Sequence, residues 1–347
     1  MSNITERNSG NMKSIERVKT NRNETLDLFK FVAAFAVVCI HYMFFGVTGE
    51  IVKAIARFAV PFFFAVSGYF AYYDDTKKIK KKIKNIFVLY LSSFVLYFIY
   101  SAIKHILAGE TFVEYLLMYF NKTIIIDFLV LNTTITSAHL WFLPALIYCY
   151  LLQLLSKNKV SEKVLFTVTF VLMLIYLTTE EILPIFGIET SKYIFTNVLF
   201  RAFPQFALGM FIRKYKNVIK ESVSKTSMFI ILAIGIIETI VSVIMFGNSI
   251  TYIGSMLNVV AMLLLAVKYE NNSYDGRLIK LSGCNTYIYI FHVAIGGTLQ
   301  TILDYIGIGT ELLWINIKPV IVFILSIIFS LIIGSIFDRF LIKNRTQ

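Results

Sequence analysis

Asp27, Lys30 and His41 carry the first chemistry legible in this chain. Asp27 and Lys30 stand three residues apart, so a helix places them on one face. His41 follows Lys30 by eleven residues, close to three turns and about 16 Å along a helix. A neutral imidazole there can take a proton from a hydroxyl near neutral pH. Arg57, Arg201 and Lys318 add cations inside other apolar runs, and Glu238 adds a carboxylate. A charge in such a run costs several kcal/mol unless it meets water, protein or a partner, and arginine cannot shed its proton. These four basic groups, at similar expected depth, suggest one shared polar cavity with Glu238 as counter-charge. Separate snorkelling or structural ion pairs would account for them equally well. Asp27–Lys30 also reads as a pair at the lipid headgroups, and His41 as a histidine bonded to a neighbouring helix.

Other motifs are more ambiguous. In Pro61 to Phe70, Pro61 removes a backbone donor, and Ser67-Gly68 lets a second backbone come close. His139-Leu140-Trp141-Phe142 opens another run and suits either an interfacial aromatic anchor or a substrate contact. His292 lies inside an apolar run, where packing is the bland reading. Six lysines fall between Lys77 and Lys84, Lys80 and Lys81 among them. They read as an anchor for anionic lipid or as a platform for a phosphorylated donor.

The elements that must position these groups follow from composition. Of 347 residues, 57% are hydrophobic and only 16% are Asp, Glu, Lys or Arg, with a mean hydropathy of +0.73. A soluble globule could not hide so much apolar surface, and a disordered chain would not carry it. Apolar runs predict an all-α polytopic membrane protein of about ten spans: 26–45, 51–72, 83–104, 138–155, 161–178, 193–212, 226–246, 249–268, 284–303 and 312–337. Residues 106–135 are interrupted by charge and read as interfacial or re-entrant helix. Three cysteines, Cys39, Cys149 and Cys284, each in or beside an apolar run, argue against a disulfide framework. No Cys/His cluster has metal-binding spacing.

The net charge of +12 would suggest nucleic acid in a soluble protein. Here no nucleic-acid partner is expected, because 25 of the 33 Lys and Arg fall in 1–25, 73–84, 156–163, 213–225, 268–283 and 338–347, against two in the alternate loops. That bias predicts cytoplasmic termini. Glu180 and Glu181 are expected in an outer loop. The N-terminal stretch lacks the pattern of a cleaved signal. The expected organisation is a polar tail over 1–24, a membrane domain over 25–340 and a short tail over 341–347, with no appended domain.

In this order the motifs resemble the integral-membrane acyltransferase-3 family, whose members O-acylate cell-envelope polymers. Leu26, Asp27, Lys30 and His41 match the family's first-span pattern, with Lys30 at its usual arginine. Phe63, Phe64, Ser67, Gly68 and Tyr69 match its second-span motif. His139, Trp141 and Phe142, then Tyr289 and His292, follow in order. The resemblance implies a bacterial cytoplasmic-membrane enzyme. Acyl-CoA, usually acetyl-CoA, would be its cosubstrate, with no permanently bound cofactor. A hydroxyl of an envelope glycan or lipid-linked sugar would be the acceptor. His41 would be the main catalytic residue, Asp27 and Lys30 would lie near the donor path, and Lys80 and Lys81 would meet the CoA phosphates. Arg57, Ser67, His139, Trp141, Arg201, His292 and Lys318 are candidates for the substrate pocket, with Arg57 or Arg201 facing an oxyanion or an anionic acceptor. Lys30 offers a point charge where arginine offers a bidentate fork. Transport or export through the same polar stripe is the competing reading, suggested by the membrane half of vancomycin-resistance serine racemases, which is similar to this family. A structural part in an envelope-polysaccharide complex is the third.

Overall fold

The computed structural model describes residues 22–119, 122–132, 134, 136–188 and 197–343. Most of the expected tail over 1–24, and residues 344–347, lie outside the described residues. Among the described residues the secondary structure is helical, with no strand. The helices are α1 (Glu24–His41), α2 (Gly46–Ala56), α3 (Ala59–Ala71), α4 (Thr76–Leu107), α5 (Phe112–Leu117), α6 (Lys122–Leu131), α7 (Phe142–Ser156) and α8 (Glu162–Leu177). There follow α9 (Val198–Arg201), α10 (Phe203–Lys214), α11 (Lys216–Ser222), α12 (Lys225–Phe246), α13 (Ile253–Lys268), α14 (Gly276–Ser282), α15 (Asn285–Tyr305) and α16 (Leu312–Lys343).

Among the described residues, seven helical stretches are long and apolar enough to cross a membrane: Gly46–Ala71, Thr76–Leu107, Ala138–Ser156, Glu162–Ile185, Lys225–Phe246, Asn285–Tyr305 and Leu312–Ile333. Each overlaps an expected span. The other three expected spans correspond to α1, α9–α10 and α13, which are shorter or broken; residues 193–196 of the expected span 193–212 lie outside the described residues. The 18 residues of α1 include Glu24, Asp27 and Lys30. The backbone breaks at Ala202 between α9 and α10, just before Pro204. α13 has only 16 residues. The ambiguous stretch 106–135 holds α5 and α6, of 6 and 10 residues, neither long enough to span.

Local chemistry sets the ends. Asn23 accepts a hydrogen bond from the Leu26 amide and opens α1, and Asp75 does the same for α4 through Lys78. At the far end of α1 the chain becomes extended at Tyr42, so His41 is its last helical residue. On α4, Phe87, Leu91, Val95 and Ile99 recur every four residues, all exposed. That stripe faces outward, where lipid would meet it.

The centre is built on close backbone approach. A Cβ placed on Gly68 of α3 would lie 1.8 Å from the Phe206 carbonyl oxygen of α10, and one on Gly209 would lie 1.7 Å from that of Ala65. Only glycine permits this crossing. α1 and α13 pack around the same core through Ala33, Val37, Val259 and Leu263. The tight α3–α10 pair fixes the two chain breaks that carry arginines, one before α3 at Arg57 and one before α10 at Arg201.

Candidate functional site

Three segments bring three imidazoles together. His41 ends α1. His139 sits in a 3₁₀ turn, Ala138–Trp141, that leads into α7. His292 lies within α15. Ring centroids are 5.0 Å apart for His41–His292, 5.3 Å for His139–His292 and 6.1 Å for His41–His139. The ring of His41 is open to the cavity, whereas His139 and His292 are buried.

Hydrogen bonds orient the two buried rings. His292 Nδ1 lies 3.0 Å from the Ile288 carbonyl and 2.9 Å from that of Tyr289. Carbonyls only accept, so Nδ1 is the protonated nitrogen and Nε2 keeps the lone pair. His292 Nε2 has no partner among the described residues. His139 Nδ1 shares a 2.8 Å hydrogen bond with Ser137 Oγ, and the His139 carbonyl accepts one from the Tyr289 hydroxyl at 2.5 Å. Tyr97 packs edge-on against His139, with centroids 4.8 Å apart, and donates its hydroxyl proton to the Ile290 carbonyl. The Tyr-x-x-His pair of α15 thus clamps the His139 turn with one residue and supplies an imidazole with the other. Among the described residues, no group of three or more His, Cys, Asp or Glu is placed to hold a metal ion.

His41 and His139 line a cavity of about 1370 Å³, whose wall also includes Arg57, Trp141, Arg201 and Gln205. Arg57 stands at the break between α2 and α3, and its buried Nε has no hydrogen-bond partner. The Arg201 guanidinium lies over the Trp141 ring, 4.0 Å from its centroid, a cation–π contact. Gln205 is fully buried, and among the described residues both polar atoms of its side chain are unpartnered.

The acidic side of the cavity departs from expectation. Glu180 and Glu181, expected in an outer loop, are buried and line the cavity. α8 does not stop at residue 178: it continues through a π turn, Thr178–Ile182, to Leu183–Ile185. Glu238 does not serve as the counter-charge of the arginines. Its Oε2 accepts from the Gly254 amide at 2.6 Å, while Glu181 Oε2 accepts from the Ile253 amide at 2.5 Å and its Oε1 from Ser242 at 2.7 Å. Both carboxylates hold the N-terminus of α13, where unpaired amides and the helix dipole favour negative charge.

Several expected residues lie elsewhere. Lys318 is absent from the cavity lining: its Nζ bonds Gln300 Oε1 at 2.5 Å and lies over the Tyr42 ring. Rotation about the helix axis, which expected depth does not specify, sends it away from the arginines. Ser67 returns its hydroxyl to the Phe63 carbonyl of its own helix, and its neighbour Gly68 makes the close contact. Lys80 and Lys81 are exposed on the first turns of α4. Asp27 is buried and accepts from Lys30 at 2.5 Å and also from Arg22. This cluster opens α1, and the helix separates it from His41 by about 16 Å. Gln205 and Thr251, both in the cavity wall, escaped the sequence reading. A buried amide just after Pro204 in an apolar run was the available signal, since such a group is costly in lipid.

A polytopic helical membrane protein enclosing a cavity walled by histidine and arginine is the class these features define. The chain belongs to the acyltransferase-3 family: the model for that family, described as "Acyltransferase domain", matches residues 23–339. Two relatives from Enterococcus faecalis, each named "Amino-acid racemase", are 31% identical over 156 residues and 28% identical over 184. The matches cover 41% and 51% of this chain but 21% and 24% of the racemases. The chain therefore spans about a quarter or less of the length of these curated relatives. No solved structure matches.

Proposed function

We propose that the protein is a membrane O-acyltransferase of the bacterial cytoplasmic membrane. It would move an acyl group, acetyl in the usual case, from cytoplasmic acyl-CoA to a hydroxyl of an envelope glycan or lipid-linked sugar. The observation that carries this reading is His41, open to a large cavity and backed by two further imidazoles, in a chain of this family. His41 takes the proton of the acceptor hydroxyl as its oxygen bonds to the acyl carbon. The carbon–sulfur bond then breaks, and CoA leaves with a proton as the free thiol. A donor entering beside Asp27 and Lys30 meets His41 at the other end of the same helix, and Lys80 and Lys81 offer charge to its phosphates. Both chain ends face the cytoplasm in this orientation.

Membranes bearing the wild-type chain or His41→Gln, supplied with labelled acetyl-CoA, test the assignment. Label should reach envelope glycan with the first and fall at least a hundredfold with the second. Equal label from both would refute it. A cavity of this volume would also admit a solute, so unchanged acylation with altered solute uptake would favour transport instead.

A further inference from the structure

We propose that Arg57 and Arg201 form an anion subsite, and that the acceptor carries an oxyanion, either carboxylate or phosphate, close to its reacting hydroxyl. The role of acceptor rests on the acyl-transfer reading; the anion subsite does not.

Both guanidiniums belong to the wall of one cavity and lie within electrostatic range of each other. Among the described residues neither forms an ion pair. Arg201 lies over the Trp141 ring, and Arg57 stands at a helix break. Two like charges in one cavity wall repel, and an anion between them offsets that repulsion. Among the described residues no carboxylate forms an ion pair within 4.0 Å with either guanidinium, and Glu181 is bonded instead to Ser242 and the Ile253 amide.

Neutral groups in the same wall add an independent pointer to a ligand. Gln205 is fully buried, lines the cavity and leaves both Oε1 and Nε2 unpartnered. Thr251 is likewise buried, lines the cavity and leaves its hydroxyl unpartnered. Native proteins rarely leave such atoms unused. Here two guanidiniums, an amide N–H and a hydroxyl offer donors to an oxyanion, while Gln205 Oε1 can accept from a neighbouring sugar hydroxyl. Arg57 and His41 line the same cavity, so an anion held at Arg57 keeps the acceptor in the chamber of the base.

The chain contains two tryptophans, Trp141 and Trp314. In a Trp314→Phe background the remaining indole is the one beneath Arg201. The full chain in lipid nanodiscs would be titrated with glucuronate and glycerol 1-phosphate, and with glucose and glycerol as neutral counterparts. Saturable fluorescence changes should appear for an anion at concentrations at least tenfold below those of its neutral counterpart, and Arg201→Gln should weaken that binding at least tenfold. The stronger of the two anions identifies carboxylate or phosphate as the group held. Equilibrium dialysis of inorganic phosphate against the unmodified chain repeats the measurement without the Trp314 change and should show binding that Arg57→Gln weakens. Neutral counterparts binding as tightly as the anions, or anion binding unchanged in both arginine variants, would overturn the subsite. Anion binding without His41-dependent transfer would leave the subsite standing and defeat its acceptor role. His41-dependent transfer without anion preference would do the opposite.

Discussion

Replacing Gly209 with alanine tests how the site is held. The added Cβ would lie 1.7 Å from the Ala65 carbonyl oxygen, where ordinary van der Waals contact begins near 3.4 Å. The obstacle is backbone on both sides, so no side chain can swing away. α10 must retreat from α3 by roughly 1 to 2 Å. Forcing extra volume into a packed core costs about 1–3 kcal/mol, which in a chain of this size lowers Tm by a few degrees. The displacement also reaches the cavity, because α10 carries Gln205 and follows directly on Arg201. A shift of about 1 Å at a reacting geometry can cost about a hundredfold in rate. Thermal unfolding of the nanodisc-embedded protein would read the first effect, and labelled-acetyl transfer the second. Gly68→Ala, which meets Phe206 across the same crossing, should reproduce both. Wild-type Tm in both variants would refute the argument that backbone contact between α3 and α10 holds the arginines in place.

Three further outcomes follow from particular contacts. His292→Leu removes a fully buried imidazole whose Nε2 is unpartnered and whose Nδ1 bonds only carbonyls of its own helix, so stability should hold or rise by up to about 1 kcal/mol while transfer falls at least tenfold; a clear drop in Tm would show that the imidazole has a structural role. Glu270 lies outside the spans. Burial alone would raise its pKa, but hydrogen bonds from Lys216 and Lys220 outweigh this and leave it below the usual carboxylate range. A depressed folded pKa stabilises above the unfolded value of about 4.3 and loses that contribution as pH falls through the folded pKa. Glu270→Gln should therefore lower stability by about 1 kcal/mol or less at pH 7, with the difference vanishing in unfolding scans near pH 3. Lys30→Arg should keep the Asp27 pair and hold or lower the KM for acetyl-CoA, whereas Lys30→Ala should raise it; an unchanged KM in the alanine variant would remove Lys30 from the donor path.

Much of this architecture was legible because lipid leaves few options. Apolar length alone located the helices, and the cost of buried charge singled out Arg57, Arg201 and His41, which share the cavity. Ser67-Gly68 announced a close backbone approach, and Gly68 meets α10. Lys318 shows where such reasoning ends: hydrophobicity fixes how deep a residue sits but not its angle about the helix axis, and that angle turns it to Gln300. Glu180 and Glu181 were hidden for another reason. A carboxylate pair normally ends an apolar run, but here the helix carries both inward. Glu238 was legible as an acid within a span but not as a cap for α13, a role visible only when α12 and α13 lie side by side.

The π turn at Thr178–Ile182 also makes this wall sensitive to length. The Leu183 amide there bonds back to the Thr178 carbonyl, five residues earlier, where an α-helix would reach four. Losing one residue within this turn would restore ordinary winding: the helix beyond it would keep its face, but the side chains of the turn itself would be reassigned around the axis. Glu181 would leave the α13 N-terminus while its hydropathy and depth stayed almost the same. Alignments of related chains should therefore treat a one-residue gap here as a change of cavity lining, even where every substitution nearby looks conservative.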